Sequence, residues 1–190
     1  MDRRAIKSLR LFGAAVGVVA ALAGGWAGYL RLSGNFHVVD DGAVYRSGQL
    51  SGFQFSTRIR ENGIRTIINL RGNNAGSPWY DDELKASDAT GVSHVDFPIS
   101  ASRELNDQQV AQLVGLLTTS PRPILIHCEG GADRTGLASA LYKLMIDKSP
   151  PSEAAAQLSF RYGHFPWFWS GTDAMDVTFA RTVSHMLLTR

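Results

Sequence analysis

Residues 127–136, His-Cys-Glu-Gly-Gly-Ala-Asp-Arg-Thr-Gly, decide the fold, and they hold the only cysteine of the chain, Cys128. The apolar run before them, Pro-Ile-Leu-Ile at 123–126, is typical of a buried strand. An apolar stripe at helical spacing follows them, made by Leu137, Leu141 and Leu144. The sequence therefore predicts a strand, a tight glycine-containing loop and a helix in direct succession.

The residue types in this loop suit attack on a phosphate ester. Cys128 precedes the predicted helix, whose unpaired N–H groups and dipole stabilise a thiolate, the nucleophilic form of cysteine. The planar guanidinium of Arg134 can bind two phosphoryl oxygens. The glycines allow backbone N–H groups to turn toward an anion. We therefore expect the phosphate to be bound by Glu129, Gly130, Gly131, Ala132, Asp133 and Arg134.

Two further residues are assigned supporting roles. We expect His127 to orient the loop and Thr135 to donate its hydroxyl to the sulfur. The alternative is an inert, buried cysteine beside an ordinary helix start. That alternative leaves the arginine and the glycines unexplained. A redox role is disfavoured because the chain has no second cysteine to act as a resolving partner.

The pattern His-Cys, five residues, then Arg-Thr-Gly resembles the signature of the cysteine-dependent protein tyrosine and dual-specificity phosphatases. Residues 45–49, Tyr-Arg-Ser-Gly-Gln, also resemble a segment that many atypical dual-specificity phosphatases carry early in the chain. The resemblance is strongest over 123–147 and moderate over 36–122. It implies that Cys128 attacks phosphorus to form a phosphocysteine, which water then hydrolyses. It implies no metal and no organic cofactor.

The general acid is less clearly marked than the nucleophile. The resemblance implies an aspartate in the loop after the predicted strand 92–97, but residues 98–105 contain none. Asp133 lies inside residues 128–134, which we call the phosphate loop, and it is the preferred candidate. An aspartate at this place resembles the arrangement in myotubularin-type lipid phosphatases and some bacterial tyrosine phosphatases. Alternatively, Asp133 pairs with Arg134 or caps the following helix.

Two other carboxylates remain candidates for the acid. Glu104 lies in the 98–105 loop itself, and Asp107 lies just after it. Asp107 is placed in the first turn of a helix, where acidic residues are common because they complement the helix dipole.

The N-terminal segment predicts where the protein lies. Residues 11–30 are uncharged, and a helix of that length spans about the 30 Å hydrocarbon core of a bilayer. The leader 1–10 is basic, so we expect a cytoplasmic N-terminus and an extracytoplasmic catalytic domain, periplasmic in a bacterium. Interfacial aromatics favour an uncleaved anchor; the alternative is a signal peptide, cleaved after Ala23 to give a secreted form.

The charge distribution argues against nucleic acid as a partner. The chain has 19 Lys and Arg against 17 Asp and Glu. Setting aside Asp2 and the four basic residues of the leader leaves 15 basic and 16 acidic side chains in residues 31–190. The basic excess therefore belongs to the membrane flank, and the rest of the chain has no basic stripe of the kind that binds nucleic acid.

Alternating strand and helix patterns predict an α/β fold with a central mixed or parallel sheet flanked by helices, as in protein tyrosine phosphatases. We expect a tether at 31–35 and one catalytic domain at 36–190. The predicted strands are 36–39, 44–46, 66–70, 92–97 and 123–126. The predicted helices are 52–62, 79–89, 106–117, 137–145, 152–160 with Ser152 as its cap, and 173–188. We expect Gly63 to end the first of these helices, and Asn106 with Gln109 to form a capping box at the start of the third.

Two further features have competing interpretations. Arg71 follows a predicted strand at the sheet edge where ligands bind, so it is either a second phosphate contact or a surface salt bridge. The aromatic stretch 162–169 favours core or lid packing over lining the substrate entrance or touching a membrane. We expect His164, within it, to be structural.

Together these observations predict a membrane-anchored phosphomonoester hydrolase. A phosphotyrosyl protein is the substrate that the resemblance implies first, and a phosphoinositide, another phosphorylated small molecule or a lipid is the alternative. A hypothesis of another class is a weakly active module that recruits phosphorylated partners, because the expected acid loop lacks its aspartate.

Overall fold

The computed structural model describes residues 3–166 and 170–188, with side chains from residue 10 onward. Five strands form one sheet: β1 (His37–Asp40), β2 (Val44–Ser47), β3 (Thr66–Asn69), β4 (Ser93–Asp96) and β5 (Ile124–His127). The helices are α1 (Arg3–Leu32), α2 (Gly52–Asn62), α3 (Pro78–Thr90), α4 (Asp107–Thr119), α5 (Asp133–Met145), α6 (Pro151–Ala155) and α7 (Asp173–Leu188), with a 3₁₀ turn at Phe160–Tyr162.

The sheet is mixed, as the strand–helix alternation predicts. Its order is β1-β2-β5-β3-β4, with β1 antiparallel to β2 and the other neighbours parallel. The strand before the cysteine is therefore central. Ser47 of β2 and Asn69 of β3 both pair with His127, so three parallel strands end together where the phosphate loop begins.

The core lies on both faces of this sheet. Ile124 and Ile126 of β5 face one apolar cluster with side chains of α4, α5 and α7, whereas Leu125 faces another with Phe55 of α2. All three β5 side chains are fully buried. This alternation, typical of a strand covered on both sides, fixes the register in which β5 presents its last residues to the loop.

Local signals define the helix ends. The capping box predicted at Asn106 and Gln109 is confirmed, with both reciprocal hydrogen bonds at the start of α4. Gly63 ends α2 in the left-handed conformation, as predicted. The helix expected over 152–160 is wrong in extent: it begins at Pro151 after Pro150, ends at Ala155, and Ser152 lies inside it. Proline at the first helical position supplies the start without a side-chain cap.

The N-terminal helix is longer than the predicted anchor. α1 runs to Leu32, and its segment Arg10–Leu32 is long and apolar enough to cross a membrane by length and composition, a test that a signal sequence also passes. The predicted tether 31–35 is not a free linker: two of its residues are helical, and Asn35 is buried against the domain.

Candidate active site

The loop between β5 and α5 forms the centre of the site. Cys128 follows β5 directly and is 2 % exposed, and α5 begins at Asp133. Gly131 has a φ of +72°, and a Cβ there would lie 2.4 Å from the backbone nitrogen of Gly48. The predicted need for glycine is met at this position, because a side chain would neither adopt the conformation nor fit the contact.

Arg46 of β2 binds backbone carbonyls of the phosphate loop. Its side chain is fully buried, its Nη2 donates to the carbonyls of Gly131 at 2.8 Å and Ala132 at 3.4 Å, and its Nη1 donates to Gln157. Burial lowers the pKa of Arg46 to about 10, although electrostatic interactions with Tyr162 and Cys128 oppose the shift. With the carbonyls held on the arginine, the N–H groups of the loop are left for an anion.

The guanidinium of Arg134 has hydrogen-bonding capacity to spare. Its Nη1 makes one long hydrogen bond, 3.4 Å, to the carbonyl of Leu70. Its Nε is buried and has no hydrogen-bond partner among the described residues. A buried donor without a partner is costly. Arg134 therefore has a donor available for an acceptor from outside the described residues.

His127 is oriented by a residue that the sequence does not mark. Its Nε2 lies 2.8 Å from Oε1 of Glu83, a fully buried residue of α3. Glu83 also binds His94 and Gln49, each at 2.8 Å. Burial acts to raise the pKa of Glu83, but the hydrogen bonds from His127, His94 and Gln49 outweigh it and lower the pKa to about 2. Glu83 is therefore an anion that fixes His127 under the loop.

Thr135 makes a different contact from the one expected. Its buried hydroxyl lies 3.5 Å from the carbonyl of Ser47, and no hydrogen bond to the sulfur of Cys128 is formed within the described part of the chain. Thr135 therefore ties the start of α5 to the end of β2.

Asp133 faces the C-terminal part of the chain. Its Oδ1 is 2.7 Å from Nδ1 of His164, whose Nε2 is 2.8 Å from Oδ2 of Asp176 on α7. The carboxylate of Asp133 remains 28 % exposed while the His164 side chain is 1 % exposed. Asp133 thus keeps access to solvent in the loop, and its described partner is His164 rather than Arg134.

Arg71 lies close to the loop, as its position after β3 predicts. Its Nη1 donates to Oε1 of Gln49 at 2.9 Å, and its guanidinium stacks on Trp79, 3.5 Å from the ring centroid. Burial lowers its pKa, with Glu129, Arg134 and Cys128 among the charged groups that act on it. Arg71 therefore supplies a second positive charge beside the site.

The other candidate acids are bound elsewhere. Glu104 pairs with Arg181 of α7 at 2.7 Å, and Asp107 lies 3.4 Å from the same guanidinium. Asp96, the last residue of β4, accepts from Asn69 and from the hydroxyl of Tyr80, at 2.8 and 2.5 Å. Of the carboxylates that the sequence offers as acids, Asp133 is the one that lies in the phosphate loop.

The aromatic stretch 162–169 contains both buried and exposed side chains. Tyr162 is buried, and Arg46 stacks over its ring at 3.8 Å, which agrees with the core packing expected there. Phe165 is 38 % exposed. Residues 167–169 lie outside the described residues. His164 is structural in the sense that it is buried and hydrogen-bonded, but one of its partners belongs to the phosphate loop.

Comparisons with known proteins match this chain to a family of phosphatases. A family model described as DSP-PTPase phosphatase fused to NAD+ kinase matches residues 32–165. Inositol diphosphatase DSP5 of Arabidopsis thaliana is 31% identical over 109 residues, 54% of this chain and 50% of that protein. The chain thus spans about half the length of the curated relatives it matches.

Two solved structures share the fold. TpbA of P. aeruginosa, as a cysteine-to-serine variant in complex with pTyr, has a TM-score of 0.58 at 17% identity and covers 77% of this chain and 83% of its own. The core catalytic domain of the PP-IP phosphatase SIW14 from S. cerevisiae has a TM-score of 0.61 at 16% identity, over 82% and 91%. Since the family model matches most of the chain, including the whole phosphate loop, the chain belongs to the DSP-PTPase family.

Proposed function

We propose that the protein hydrolyses phosphomonoesters through a phosphocysteine on Cys128. The observation that carries the proposal is the unfilled donor set at the N-terminus of α5. Arg46 binds a carbonyl of the loop, and the buried Nε of Arg134 has no hydrogen-bond partner in the described part of the structure. An anionic phosphoryl group bound at the start of α5 would supply the acceptor that this Nε lacks and would meet the first N–H groups of the helix.

The reaction proceeds in two displacements. The Cys128 thiolate attacks phosphorus, the bond to the ester oxygen breaks, and that oxygen leaves with a proton. Water then attacks the phosphocysteine, loses its proton to a base, and releases inorganic phosphate and the thiolate. Arg134 and the loop amides hold the equatorial oxygens through both steps, where charge develops.

Asp133 is the proposed acid of the first step and base of the second. It is the partly exposed carboxylate of the loop itself, and its hydrogen bond to His164 fixes the orientation of the group. An acid in this position protonates the leaving oxygen only when that oxygen is basic enough to need it.

The substrate proposed first is a phosphotyrosyl protein, in line with the pTyr bound to TpbA. A second candidate is an inositol phosphate or phosphoinositide. DSP5 is named an inositol diphosphatase and SIW14 a PP-IP phosphatase, and Arg71 adds a positive charge beside the loop, which suits a highly phosphorylated substrate. The N-terminal helix is proposed to anchor the protein in a membrane, with the leader cytoplasmic and the catalytic domain outside.

The test uses the full chain in detergent, with a metal chelator present. We expect turnover of an aryl phosphate, no turnover by Cys128→Ser, and a mass increase of one phosphoryl group on the Cys128 peptide after rapid quenching. Label on another residue, or full activity of Cys128→Ser, would refute the mechanism. If the wild type binds phosphate without turning over any ester, the protein is a phosphate-binding module instead.

A further inference from the structure

α1 and the phosphate loop both connect to the sheet at the same end, the carboxyl end of β2. β1 is antiparallel to β2, and its first residue, His37, pairs with Arg46 near the carboxyl end of β2. β5 is parallel to β2, so Cys128 leaves the sheet at that same end. The segment that follows α1 therefore enters the domain beside the phosphate loop, not at the opposite end of the strands.

The connection between the two is short and fixed by hydrogen bonds. Nδ2 of Asn35 donates to the carbonyls of Gly130 at 2.9 Å and Tyr162 at 2.8 Å. The Gly48 N–H donates to the carbonyl of Gly34 at 2.8 Å. Asn35 is 2 % exposed and its own N–H donates to the carbonyl of Leu30 in the last turn of α1. The helix end is therefore bound to the phosphate loop through one side chain.

The separation between the helix and the loop is correspondingly small. Asn35 lies three positions after Leu32, and an extended chain covers at most about 10 Å over three positions. The polar headgroup layer is about 5 to 8 Å thick on each side of the hydrocarbon core. If α1 spans the bilayer, the loop lies within reach of phosphates at the depth of the lipid headgroups.

The surface around the helix end suits contact with lipid. Phe160 and Phe165 stack edge to face at 4.3 Å yet remain 55 % and 38 % exposed. They flank Gly163, where an added Cβ would lie 3.1 Å from Leu30 of α1. Trp26 and Tyr29 stack at 5.7 Å on the last turns of the helix. Aromatic side chains at this level are enriched at membrane interfaces.

We propose that this edge of the domain is a membrane-docking surface, and that the site acts on phosphomonoesters carried by lipid headgroups of the bilayer that α1 crosses. The inference rests on the proposed chemistry at Cys128, takes a lipid substrate in place of the phosphotyrosyl protein, and requires that α1 remain in the membrane. Arg161 is exposed, with its guanidinium 5.5 Å from the ring centroid of Tyr162, and adds attraction to anionic lipid.

The test separates chemistry from placement. The full chain is reconstituted in phosphatidylcholine vesicles that contain phosphatidate, and hydrolysis of phosphatidate is divided by hydrolysis of a water-soluble aryl phosphate in the same vesicles. A spacer variant carries an 18-residue polar helical segment between Gly28 and Tyr29, which raises the domain by about 27 Å and keeps the contacts of residues 29–35. The matched control carries the same segment between Lys7 and Ser8, at the other end of the helix.

The wild type and the control are expected to hydrolyse both substrates. The spacer variant should keep its aryl phosphate rate but lose phosphatidate hydrolysis by about tenfold or more, because the effective concentration of headgroups at the site falls. Phe160→Ser with Phe165→Ser should lower the ratio in the same direction without an inserted segment.

Three outcomes overturn the inference. If the spacer variant retains the wild-type ratio, the edge is not held at the membrane. If the wild type hydrolyses a phosphotyrosyl peptide and the aryl phosphate but not phosphatidate, the edge serves a protein partner and the proposed chemistry stands. If the wild type hydrolyses neither phosphatidate nor the aryl phosphate, the proposed function fails first and takes the inference with it.

Discussion

Nδ1 of His164 lies 2.7 Å from Oδ1 of Asp133, so the first residue of α5 is bound to a side chain from the segment that precedes α7. Asp176 holds the other nitrogen of the same imidazole at 2.8 Å. Burial lowers the pKa of His164, but its hydrogen bonds to the two carboxylates outweigh burial, and the net shift of the pKa is upward. The protonated imidazole can donate to both carboxylates at once, which joins α7 to the phosphate loop.

This contact predicts a pH-dependent stability. Because the pKa of His164 in the folded protein lies above its ordinary value of 6.5, its contribution is fully present below that value and is lost as the pH rises through the folded pKa. We expect His164→Gln to lower the melting temperature clearly at about pH 6 and little at about pH 9. Asp173→Asn, an exposed position on α7, is the control and should show the same shift at both pH values. A melting-temperature loss in His164→Gln that is equal at both pH values would contradict the assignment.

Substitution of Asp133 tests the acid. We expect Asp133→Asn to slow hydrolysis of an alkyl phosphate by about 100-fold or more and an aryl phosphate by less than about tenfold, because the aryl leaving group needs less protonation. Steady-state rates on the two substrates measure the difference. Glu104→Gln and Asp107→Asn are matched controls, since both carboxylates bind Arg181 instead of the loop. Equal slowing of both substrates by Asp133→Asn would rule it out as the acid.

Arg46 is expected to support both the loop and the fold. Arg46→Met leaves the carbonyls of Gly131 and Ala132 without their buried donor, so we expect unfolding free energy to fall by about 3 kcal/mol and aryl phosphate turnover to be nearly lost. Urea denaturation and initial rates are the measurements. Arg58→Met, at a half-exposed arginine paired with Glu61, should change the free energy of unfolding by no more than about 0.5 kcal/mol. Normal activity in Arg46→Met would mean that the loop keeps its shape without the arginine.

The contribution of Glu83 to stability is expected to depend on pH in the opposite sense from that of His164. Its pKa in the folded protein, about 2, lies below the ordinary 4.5, so its contribution is present above pH 4.5 and is lost as the pH falls toward 2. We expect Glu83→Gln to lower unfolding free energy by about 2 kcal/mol at neutral pH, with the gap from the wild type narrowing at about pH 3. Urea denaturation at the two pH values measures this. The exposed Glu61→Gln serves as the comparison and should show no such narrowing.

Much of the fold follows from local sequence signals. The apolar run at 123–126 and the glycine-containing loop predict β5 and its position before α5, because a short strand covered on both faces needs apolar side chains throughout. The capping box at Asn106 and the glycine at 63 fix helix ends through hydrogen bonds made by the residues themselves. Residues 31–35 gave no such local signal, because the burial of Asn35 depends on partners 95 and 127 positions away.

The residues of the candidate site also differ in whether the sequence alone could predict their roles. Cys128 and Arg134 are predicted because their spacing within one loop is itself the signal. Arg46 and Glu83 are missed as functional residues, because their roles depend on strands and helices that meet only in the folded chain. A charged residue inside an apolar strand pattern is the one hint that Arg46 offers, since a buried guanidinium must find acceptors. Glu83 lies in an ordinary polar helix pattern and offers no hint at all.

The hydrogen bond from Asn35 to Gly130 bears on what proteolysis would do to this protein. A cut after Ala23 removes most of the apolar helix but keeps Gly34, Asn35 and their hydrogen bonds to the domain. If α1 anchors the protein, the detached product would diffuse freely and would keep the contacts that hold its phosphate loop. Shedding would then change which phosphates the loop meets without altering the loop itself.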